Sequence, residues 1–334
     1  MLLTACASLV EDAPREGPAG PTRFVYSPYK HVPIALDPAT RALSTAVRGT
    51  PTPIVVDGRS TLPPGVTALT LAFATGDCGT ETWDGMDPQA WTDTNLHAFG
   101  RAGIGYVIST GGEAGVFTCA SDVGMEAFIA HYVSPHLIGF DFDIEHAQSE
   151  DVVASLVQRI ATAQKRHPKL RFSFTLATWA ANDGSLGSLN ADGERVMDAI
   201  RNAGLDEFYI NLMVMDFGEA RPGNCVVSAG VCDMGQSAIQ AARNLNARHA
   251  VRLQRIELTP MLGVNDVVAN VFTLDDARTL ARFVRDNGLA GVHFWSLDRD
   301  TACPPGVSGV SSMCSGLKGV AAFGFTAAIR DELR

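Results

Sequence analysis

Several features that mark other classes of protein are missing from this 334-residue sequence. It has no basic run interleaved with aromatic residues, and its formal net charge is −10, so we expect no nucleic-acid partner. No apolar run reaches the roughly 18–20 residues that a membrane-spanning helix needs. There is no CxxC motif and the eight histidines are scattered, so the sequence predicts neither a metal site nor a cofactor.

The N-terminus predicts export. The sequence LTAC at residues 3–6 looks like a bacterial lipoprotein box, in which Cys6 would carry lipid, although the charged region and most of the apolar region of a signal are missing. The alternative is an incomplete signal peptide that happens to contain a cysteine. Residues 7–22 are rich in proline and glycine, as expected of a tether. We therefore expect a secreted or cell-surface protein that touches a membrane only through Cys6.

The remaining six cysteines agree with an oxidising compartment. Cys225 and Cys232 bracket one short loop, and Cys303 and Cys314 bracket another, which suggests two local disulfides. Cys78 and Cys119 are then left as a third, long-range pair. Six cysteines allow 15 connectivities, so spacing alone leaves the pairing open.

Eight apolar, β-rich runs alternate with segments of helical period over residues 23–334. The predicted strands are residues 23–29, 68–75, 104–110, 137–144, 171–177, 207–215, 255–262 and 291–296, and the clearest helices are 150–167, 234–247, 273–287 and 320–333. Eight strand-then-helix units predict an α/β fold, a single-domain (β/α)8 TIM barrel with its chemistry at the C-terminal ends of the strands. The alternative is a doubly wound open sheet, but no glycine-rich dinucleotide fingerprint follows the first strand.

The fourth predicted strand carries an unusual acidic pattern, IGFDFDIE at residues 138–145. A strand places Asp141, Asp143 and Glu145 on one face, with neighbours about 6.5–7 Å apart. Inside a fold, carboxylates at that spacing lose solvation and repel one another, so at least one pKa should rise. The alternative is an edge strand with a solvated acidic face.

The acidic strand resembles the D-x-x-D-x-D-x-E signature of glycoside hydrolase family 18, the chitinases and their relatives, and in particular a bacterial chitinase-like branch. Further matches occur in order along the chain: STGG at 109–112 is similar to the S-x-G-G of the third strand, NLMVMD at 211–216 resembles the M-x-Y-D segment of the sixth, and Trp295 stands where the family has the tryptophan beneath the sugar. Two positions depart from the pattern. The first Asp of the signature is Ile138, and the tyrosine of M-x-Y-D is Met215.

The resemblance implies a role for each matched acid. Glu145 would be the general acid that protonates the glycosidic oxygen, with a pKa raised by Asp143. Asp143 would hold the acetamide N–H of the substrate and stabilise an oxazolinium ion, because this family uses the substrate itself as nucleophile. Asp141 would sit behind Asp143 and share or relay a proton. Asp216 would contact the same site from the sixth strand.

The resemblance also implies substrate-binding residues: Trp295, Met213, Gly111 and Gly112, with Tyr29 and Trp179 lining the groove. Plainer interpretations stay open for several of these residues: Glu145 as a surface acid, Asp216 as a cap or turn residue, Trp295 as barrel core, the two glycines as a tight turn, and Tyr29 and Trp179 as rim aromatics without a role.

The expected function is that of a monomeric, secreted or lipid-anchored chitinase, which hydrolyses β-1,4-linked N-acetylglucosamine polymers internally and with retention. Its partner would be chitin or a chitooligosaccharide. One alternative is an endo-β-N-acetylglucosaminidase acting on N-glycans. Another is a non-catalytic chitin-binding lectin on the same barrel, although such relatives usually lose the acid at the position of Glu145. No long insertion separates strands seven and eight, so we expect a shallow, open groove.

Overall fold

The computed structural model describes residues 24–334 except 114, 146, 147 and 308. Cys6, the predicted tether and residue 23 of the first predicted strand lie outside the described residues. Within the described part of the chain, no helix is both long and apolar enough to cross a membrane.

Eight parallel strands form a closed barrel. Their bounds are β1 (Val25–Tyr26, continued by Tyr29–His31), β2 (Ala68–Ala74), β3 (Gly105–Gly111), β4 (Leu137–Ile144), β5 (Arg171–Ala177), β6 (Tyr209–Met213), β7 (Ile256–Thr259) and β8 (Gly291–Val292). Each strand pairs with the next, and β1 closes the ring because its first half pairs with β8 and its second half with β2. The predicted TIM barrel is confirmed.

In the described part of the chain, seven helices cover the outside of the barrel. They are α1 (Gln89–Ala102), α2 (Asp122–Tyr132), α3 (Glu150–Arg166), α4 (Ala191–Ala203), α5 (Met234–His249), α6 (Leu274–Asn287) and α7 (Gly324–Leu333). Their starts are visible in the sequence. The side chain of Thr273 caps α6 in a capping box with Asp276, and Ser149 caps α3 ahead of two acids in the first turn.

The first strand departs from the prediction, because no α-helix follows β1 among the described residues. Short hairpins take its place, formed by Ser44–Thr45 with Thr52–Pro53 and by Val55–Val56 with Arg59–Ser60. Prolines recur through residues 33–64, and proline cannot donate the backbone hydrogen bond that a helix interior needs. The expectation of eight complete strand-then-helix units was therefore wrong for the first unit.

The fourth strand is central, which excludes the edge-strand alternative. It pairs with β3 on one side and with β5 on the other. Its phenylalanines point outward, where the ring of Phe140 contacts that of Phe128 on α2 and the ring of Phe142 lies beside that of Phe174 on β5. The alternation of the strand therefore directs Asp141 and Asp143 into the barrel interior.

The three disulfides have the predicted pairing. Cys78–Cys119, with 5.0 Å between Cα atoms, links the segments that follow β2 and β3. Cys225–Cys232 spans 5.7 Å after β6, and Cys303–Cys314 spans 4.9 Å after β8. All three cross-link connections on the side of the barrel where the strands end, so they brace the loops of that face.

Candidate active site

A cleft of about 650 Å³ opens at the C-terminal ends of the strands. Six of the residues predicted as a site line it: Tyr29, Asp143, Glu145, Met213, Asp216 and Trp295. The sequence analysis did not single out Phe73, Glu113, Thr175, Thr259, Met261, Asp266 and Val267, and it noted Met215 only as a departure from the family pattern; all of these line the cleft too. None of the described lining residues is a lysine, arginine or histidine, whereas five carry a carboxyl group. The described part of the chain contains no group of side chains that could hold a metal ion.

Asp141 lies beneath this cleft, fully buried, and four hydroxyl groups surround its carboxylate. Tyr29 and Ser109 donate to Oδ2 at 2.8 and 2.7 Å, and Ser173 and Thr175 donate to Oδ1, both at 2.8 Å. The register of the sheet explains the two serines, because Asp141 pairs with Ser109 on β3 and with Ser173 on β5. Burial raises the pKa of Asp141, and the four donors oppose that rise.

The direction of the hydrogen bonds in this network favours the ionised form of Asp141. The amide of Asn211 donates to the hydroxyls of Tyr29 and Thr175 at 3.0 and 2.8 Å, so the protons of those hydroxyls are left to point at Asp141. Thr259 in turn donates to the amide oxygen of Asn211 at 2.7 Å. All four neighbours donate to Asp141, which favours its ionised form, whereas burial raises its pKa. The proton relay through Asp141 stays a prediction.

Asp143 is in the opposite situation. It is only 5% exposed, and its Oδ1 atom has no hydrogen-bond partner. In the sheet it pairs with Gly111, which has no side chain, and with Thr175, whose hydroxyl is used by Asp141. Burial, then the charge of Glu145, then that of Asp141 raise the pKa of Asp143 well above its usual range. The structure therefore places the predicted pKa rise clearly on Asp143, while the rise predicted for Glu145 stays a prediction.

Gly111 and Gly112 serve the packing of the site and do not line the cleft. Both have positive φ angles, 79° and 78°. A Cβ on Gly111 would lie 2.1 Å from the carbonyl oxygen of Asp143, and one on Gly112 would lie 2.8 Å from the ring of Phe73. The absence of side chains allows β3 to approach Asp143 closely. The tight-turn alternative describes these glycines better than the predicted contact with substrate.

Trp295 lies on one wall of the cleft and belongs to an aromatic cluster. Its ring stacks beside Phe73 with 5.5 Å between centroids, and Tyr29 meets it edge-on at 6.1 Å. Its backbone bonds to the chain beyond β7, since Trp295 N donates to the carbonyl of Pro260 at 2.9 Å. One feature of the sequence could have indicated that Phe73 lines the site, namely its position near the end of the second strand. Trp179 is 39% exposed and does not belong to the lining of this cleft.

Asp216 lines the cleft and also holds its wall. Its backbone is left-handed, with φ of 48°, and its Oδ1 accepts a 2.6 Å hydrogen bond from the backbone of Val267. Its own N–H donates to the side chain of Asn265 at 3.2 Å. Burial raises the pKa of Asp216 and Asp266 adds to the rise, whereas the bond from Val267 opposes it. Asp216 therefore combines the predicted site position with the turn role that was its alternative.

The two departures from the family signature lie at opposite ends of the barrel. Met215 lines the cleft, at the position where the family pattern has a tyrosine and its hydroxyl group. Ile138 lies beside Phe24 and Leu333 in a groove at the N-terminal end of the strands. An aspartate at position 138 would thus be remote from Asp141, whose ionised form is favoured by hydroxyl groups instead.

The fold and the site together define a class. The cleft holds a buried acid with a raised pKa, Asp143, beside a second buried acid, Asp141. A further acid, Glu145, follows at the end of the same strand, and an aromatic wall faces the cleft. This combination is typical of glycoside hydrolase active sites.

Comparison with known proteins agrees with that class. A scan against protein-family models gives no match. The chain is 29% identical over 274 residues to a protein of Escherichia coli named "Probable bifunctional chitinase/lysozyme", covering 75% of this chain and 30% of that protein. It is 27% identical over 263 residues to Endochitinase 11 of Metarhizium anisopliae, covering 70% of this chain and 48% of the relative. The chain thus spans less than half the length of either relative.

Solved structures show the same fold. Active domain 2 of a thermostable chitinase from Pyrococcus furiosus, in a study of its catalytic-site mutants complexed with chito-oligosaccharides, superimposes with a TM-score of 0.67 at 21% identity, covering 94% of this chain and 95% of that one. The catalytic domain of a hyperthermophilic chitinase from the same organism gives 0.64 at 23% identity, covering 94% and 99%. The resemblance to chitinases predicted from the sequence is confirmed by the two sequence relatives, and the solved structures confirm the fold.

Proposed function

We propose that this chain is a chitinase that hydrolyses β-1,4-linked N-acetylglucosamine polymers with retention, using the acetamide group of the substrate as nucleophile. One observation carries the proposal. Asp143 is a buried carboxyl group that lines the cleft, has a raised pKa and has an Oδ1 atom without a partner. A buried acceptor of this kind is costly unless a ligand satisfies it, and an acetamide N–H would do so. The chitinase relatives support the same substrate class.

The first step follows from this placement. The acetamide N–H of the bound sugar donates to Oδ1 of Asp143, which turns the acetamide carbonyl oxygen toward the anomeric carbon. That oxygen attacks, the glycosidic bond breaks, and Glu145 gives its proton to the departing oxygen. The product is an oxazolinium ion, and its positive charge is stabilised by the Asp141–Asp143 pair.

The second step reverses the proton transfer. Glu145, now ionised, takes a proton from a water molecule that attacks the anomeric carbon. The oxazolinium ring opens, the acetamide is restored and the sugar keeps its original configuration. Trp295 and Phe73 give the sugar an apolar wall, and Met213 and Met215 line the same cleft.

The test compares the wild type with Glu145→Gln, which keeps the size of the side chain and removes its acid. Glu150→Gln is the matched control, because Glu150 is exposed at the start of α3. On a fluorogenic chitotrioside we expect Glu145→Gln to lose roughly two decades of rate or more, and the control to lose none. Activity on a high-mannose glycopeptide alone would instead identify an N-glycan endoglycosidase. Chitin binding by an inert wild type would identify a lectin.

We also propose an exported monomer that acts within the polymer and is anchored by lipid at Cys6. Three disulfides support export. Mass spectrometry of protein expressed with its full upstream sequence would reveal a diacylglycerol on Cys6, and an unmodified Cys6 would contradict the anchor.

Size-exclusion chromatography with light scattering tests whether the protein is a monomer. A fast fall in the viscosity of a soluble chitin derivative would support internal cleavage, and release of one product size only would oppose it.

A further inference from the structure

Arg299 is a fully buried cation that the proposed mechanism does not use. It follows Trp295 by four residues, in the 3-10 turn Leu297–Arg299. Its guanidinium donates to the carbonyl of Leu262 at 2.8 Å, to that of Val264 at 2.5 Å and to that of Ser311. A planar fork of five N–H groups suits this task, because it satisfies several carbonyls that diverge from one point.

All of these acceptors are neutral. In the described part of the chain no carboxylate lies within 4.0 Å of the guanidinium, so the positive charge is buried without a direct ion pair. Burial lowers the pKa of Arg299 to about 10, and the more distant charges of Asp266 and Asp216 act in the opposite direction. A buried cation is costly, and its field reaches further in the interior than it would in water.

Two of the carbonyls that Arg299 binds, those of Leu262 and Val264, belong to one wall of the cleft. Residues 261–267 supply Met261, Asp266 and Val267 to the lining. The same segment is held from its other side by Asp216, which binds the backbone of Val267 at 2.6 Å. Asn265, fully buried, binds the carbonyls of Met261 and Gly263, each at 3.0 Å. Arg299 and Asp216 therefore support one wall from two sides.

The third carbonyl connects this wall to a disulfide. Ser311 lies inside the loop closed by Cys303–Cys314, and the wall packs directly on that loop. Val264 N donates to the carbonyl of Ser315 at 2.8 Å, and a Cβ on Gly263 would lie 1.9 Å from the same oxygen. The disulfide loop thus contacts the buried guanidinium through the Ser311 carbonyl.

We propose that Arg299 is a positioning residue of the active site, which fixes the wall at residues 261–267 and favours the ionised form of Asp216, the carboxyl group bound to that wall. The inference rests on the proposed function. The charged groups around Asp216 are Asp266 on the same wall, Arg299 behind it, and Glu113, Asp143 and Glu145 among the residues lining the cleft. Arg299 is the one cation in that described set, so it opposes four acids.

Two substitutions separate the effect of the guanidinium geometry from the effect of its charge. Arg299→Lys keeps the positive charge and loses the planar set of N–H donors, whereas Arg299→Met loses both. The titration of the Asp216 carboxyl is followed by ¹³C NMR, with the signal assigned from its loss in Asp216→Asn. We expect Arg299→Met to raise the midpoint, because the charge that favours the ionised Asp216 is lost, and to lower kcat on the chitotrioside about 10- to 100-fold. We expect Arg299→Lys to keep the midpoint and to lose about tenfold in kcat or less.

A second pair of variants decides the matter if Arg299→Met does not fold. Cys303→Ala/Cys314→Ala releases the loop that contacts the guanidinium and admits water to it, which should raise the Asp216 midpoint by a smaller amount. Cys225→Ala/Cys232→Ala is the matched control on another loop, and should leave the midpoint unchanged.

The proposal is overturned if the midpoint is the same in the wild type, Arg299→Met and the loop-release variant. It is also overturned if the lysine and methionine variants lose equal activity at an unchanged midpoint, since Arg299 would then only fill space. The NMR titration needs no turnover, so an inactive wild type would refute the chitinase proposal without affecting this measurement.

Discussion

The hydroxyl of Tyr29 on β1 donates to Oδ2 of Asp141 on β4 at 2.8 Å, which joins the first and fourth strands inside the barrel. Both side chains are fully buried, and burial together with the charges of Asp141 and Asp143 raises the pKa of Tyr29 well above its usual range. Tyr29 therefore stays protonated and always donates. One hydroxyl both links two strands across the barrel interior and favours the ionised form of the carboxyl group beneath Asp143.

Tyr29→Phe tests this relationship. It removes one of four donors from a buried carboxylate, and hydrogen bonds to charged groups contribute about 1.5–3 kcal/mol. We expect the free energy of unfolding at neutral pH to fall by about that amount, with a lower kcat. Tyr26→Phe is the control, because the Tyr26 hydroxyl donates only a 3.4 Å bond to the Thr326 carbonyl. Urea unfolding of both variants measures the difference, and equal losses would contradict the special role of Tyr29.

Asp143→Asn should separate stability from activity. The pKa of Asp143 is raised in the folded state, so wild-type stability is lost as pH rises above the ordinary value of 3.8 and the buried carboxyl is forced to ionise. Asparagine cannot ionise, so the variant should gain stability relative to the wild type as pH increases. Its kcat should nevertheless fall by about 100-fold, because it cannot share charge with the oxazolinium ion.

Urea unfolding at pH 4 and pH 8, together with chitotrioside kinetics, checks both parts. A stability difference that does not change with pH would show that Asp143 titrates normally in the folded protein.

The dependence of stability on pH should have the opposite sign for Glu257, at the other end of the barrel interior, because its pKa is lowered. The neighbouring Arg171 guanidinium and His293 lower its pKa from 4.5 to about 2, against the effect of burial. This carboxylate therefore contributes stability above pH 4.5, which is lost as pH falls toward 2. Glu257→Gln removes the carboxylate charge that pairs with the buried Arg171 guanidinium and should cost about 3–5 kcal/mol at neutral pH.

The cost should shrink when unfolding is measured at pH 3, because the glutamate is then protonated in the unfolded state but still ionised in the folded state, so part of its stabilisation is already lost. Glu332→Gln, which breaks a partly exposed pair with Arg282, should cost less than about 1 kcal/mol at either pH. Equal costs for the two variants at neutral pH would refute the role of the buried pair.

The sequence predicted the parts of this molecule that depend on local pattern. The bounds of β4 and β5, the capping of α6 and the inward direction of Asp141 and Asp143 all follow from alternation and from residue type. The hydroxyl cage of Asp141 could not be predicted, because Tyr29, Ser109, Ser173 and Thr175 meet only through the register of three other strands. Arg299 gave no signal for the same reason, since its acceptors are backbone carbonyls of two distant loops.

Position 138 shows how a motif can mislead when its geometry is unknown. Ile138→Asp would restore the family signature, yet the side chain lies at the N-terminal end of the barrel, near Phe24 and Leu333. We expect no gain in kcat and a loss of stability of about 1–3 kcal/mol, because a charge replaces a partly buried apolar group. Met215→Tyr is the informative comparison, since Met215 lines the cleft and its replacement should change KM. A rise in kcat for Ile138→Asp would mean that the acid network extends along the whole strand.

The two tryptophans of the predicted site should differ in effect because they differ in place. Trp295 lines the cleft and is held by Phe73 and Tyr29, so Trp295→Ala removes a rigid apolar wall and should lower kcat/KM for the chitotrioside about 10- to 100-fold. Trp179 is exposed outside that lining, so Trp179→Ala should change kcat/KM by less than about twofold. Steady-state kinetics of the pair on the soluble substrate makes the comparison. A large loss in Trp179→Ala would show that the bound chain extends over the loop after β5.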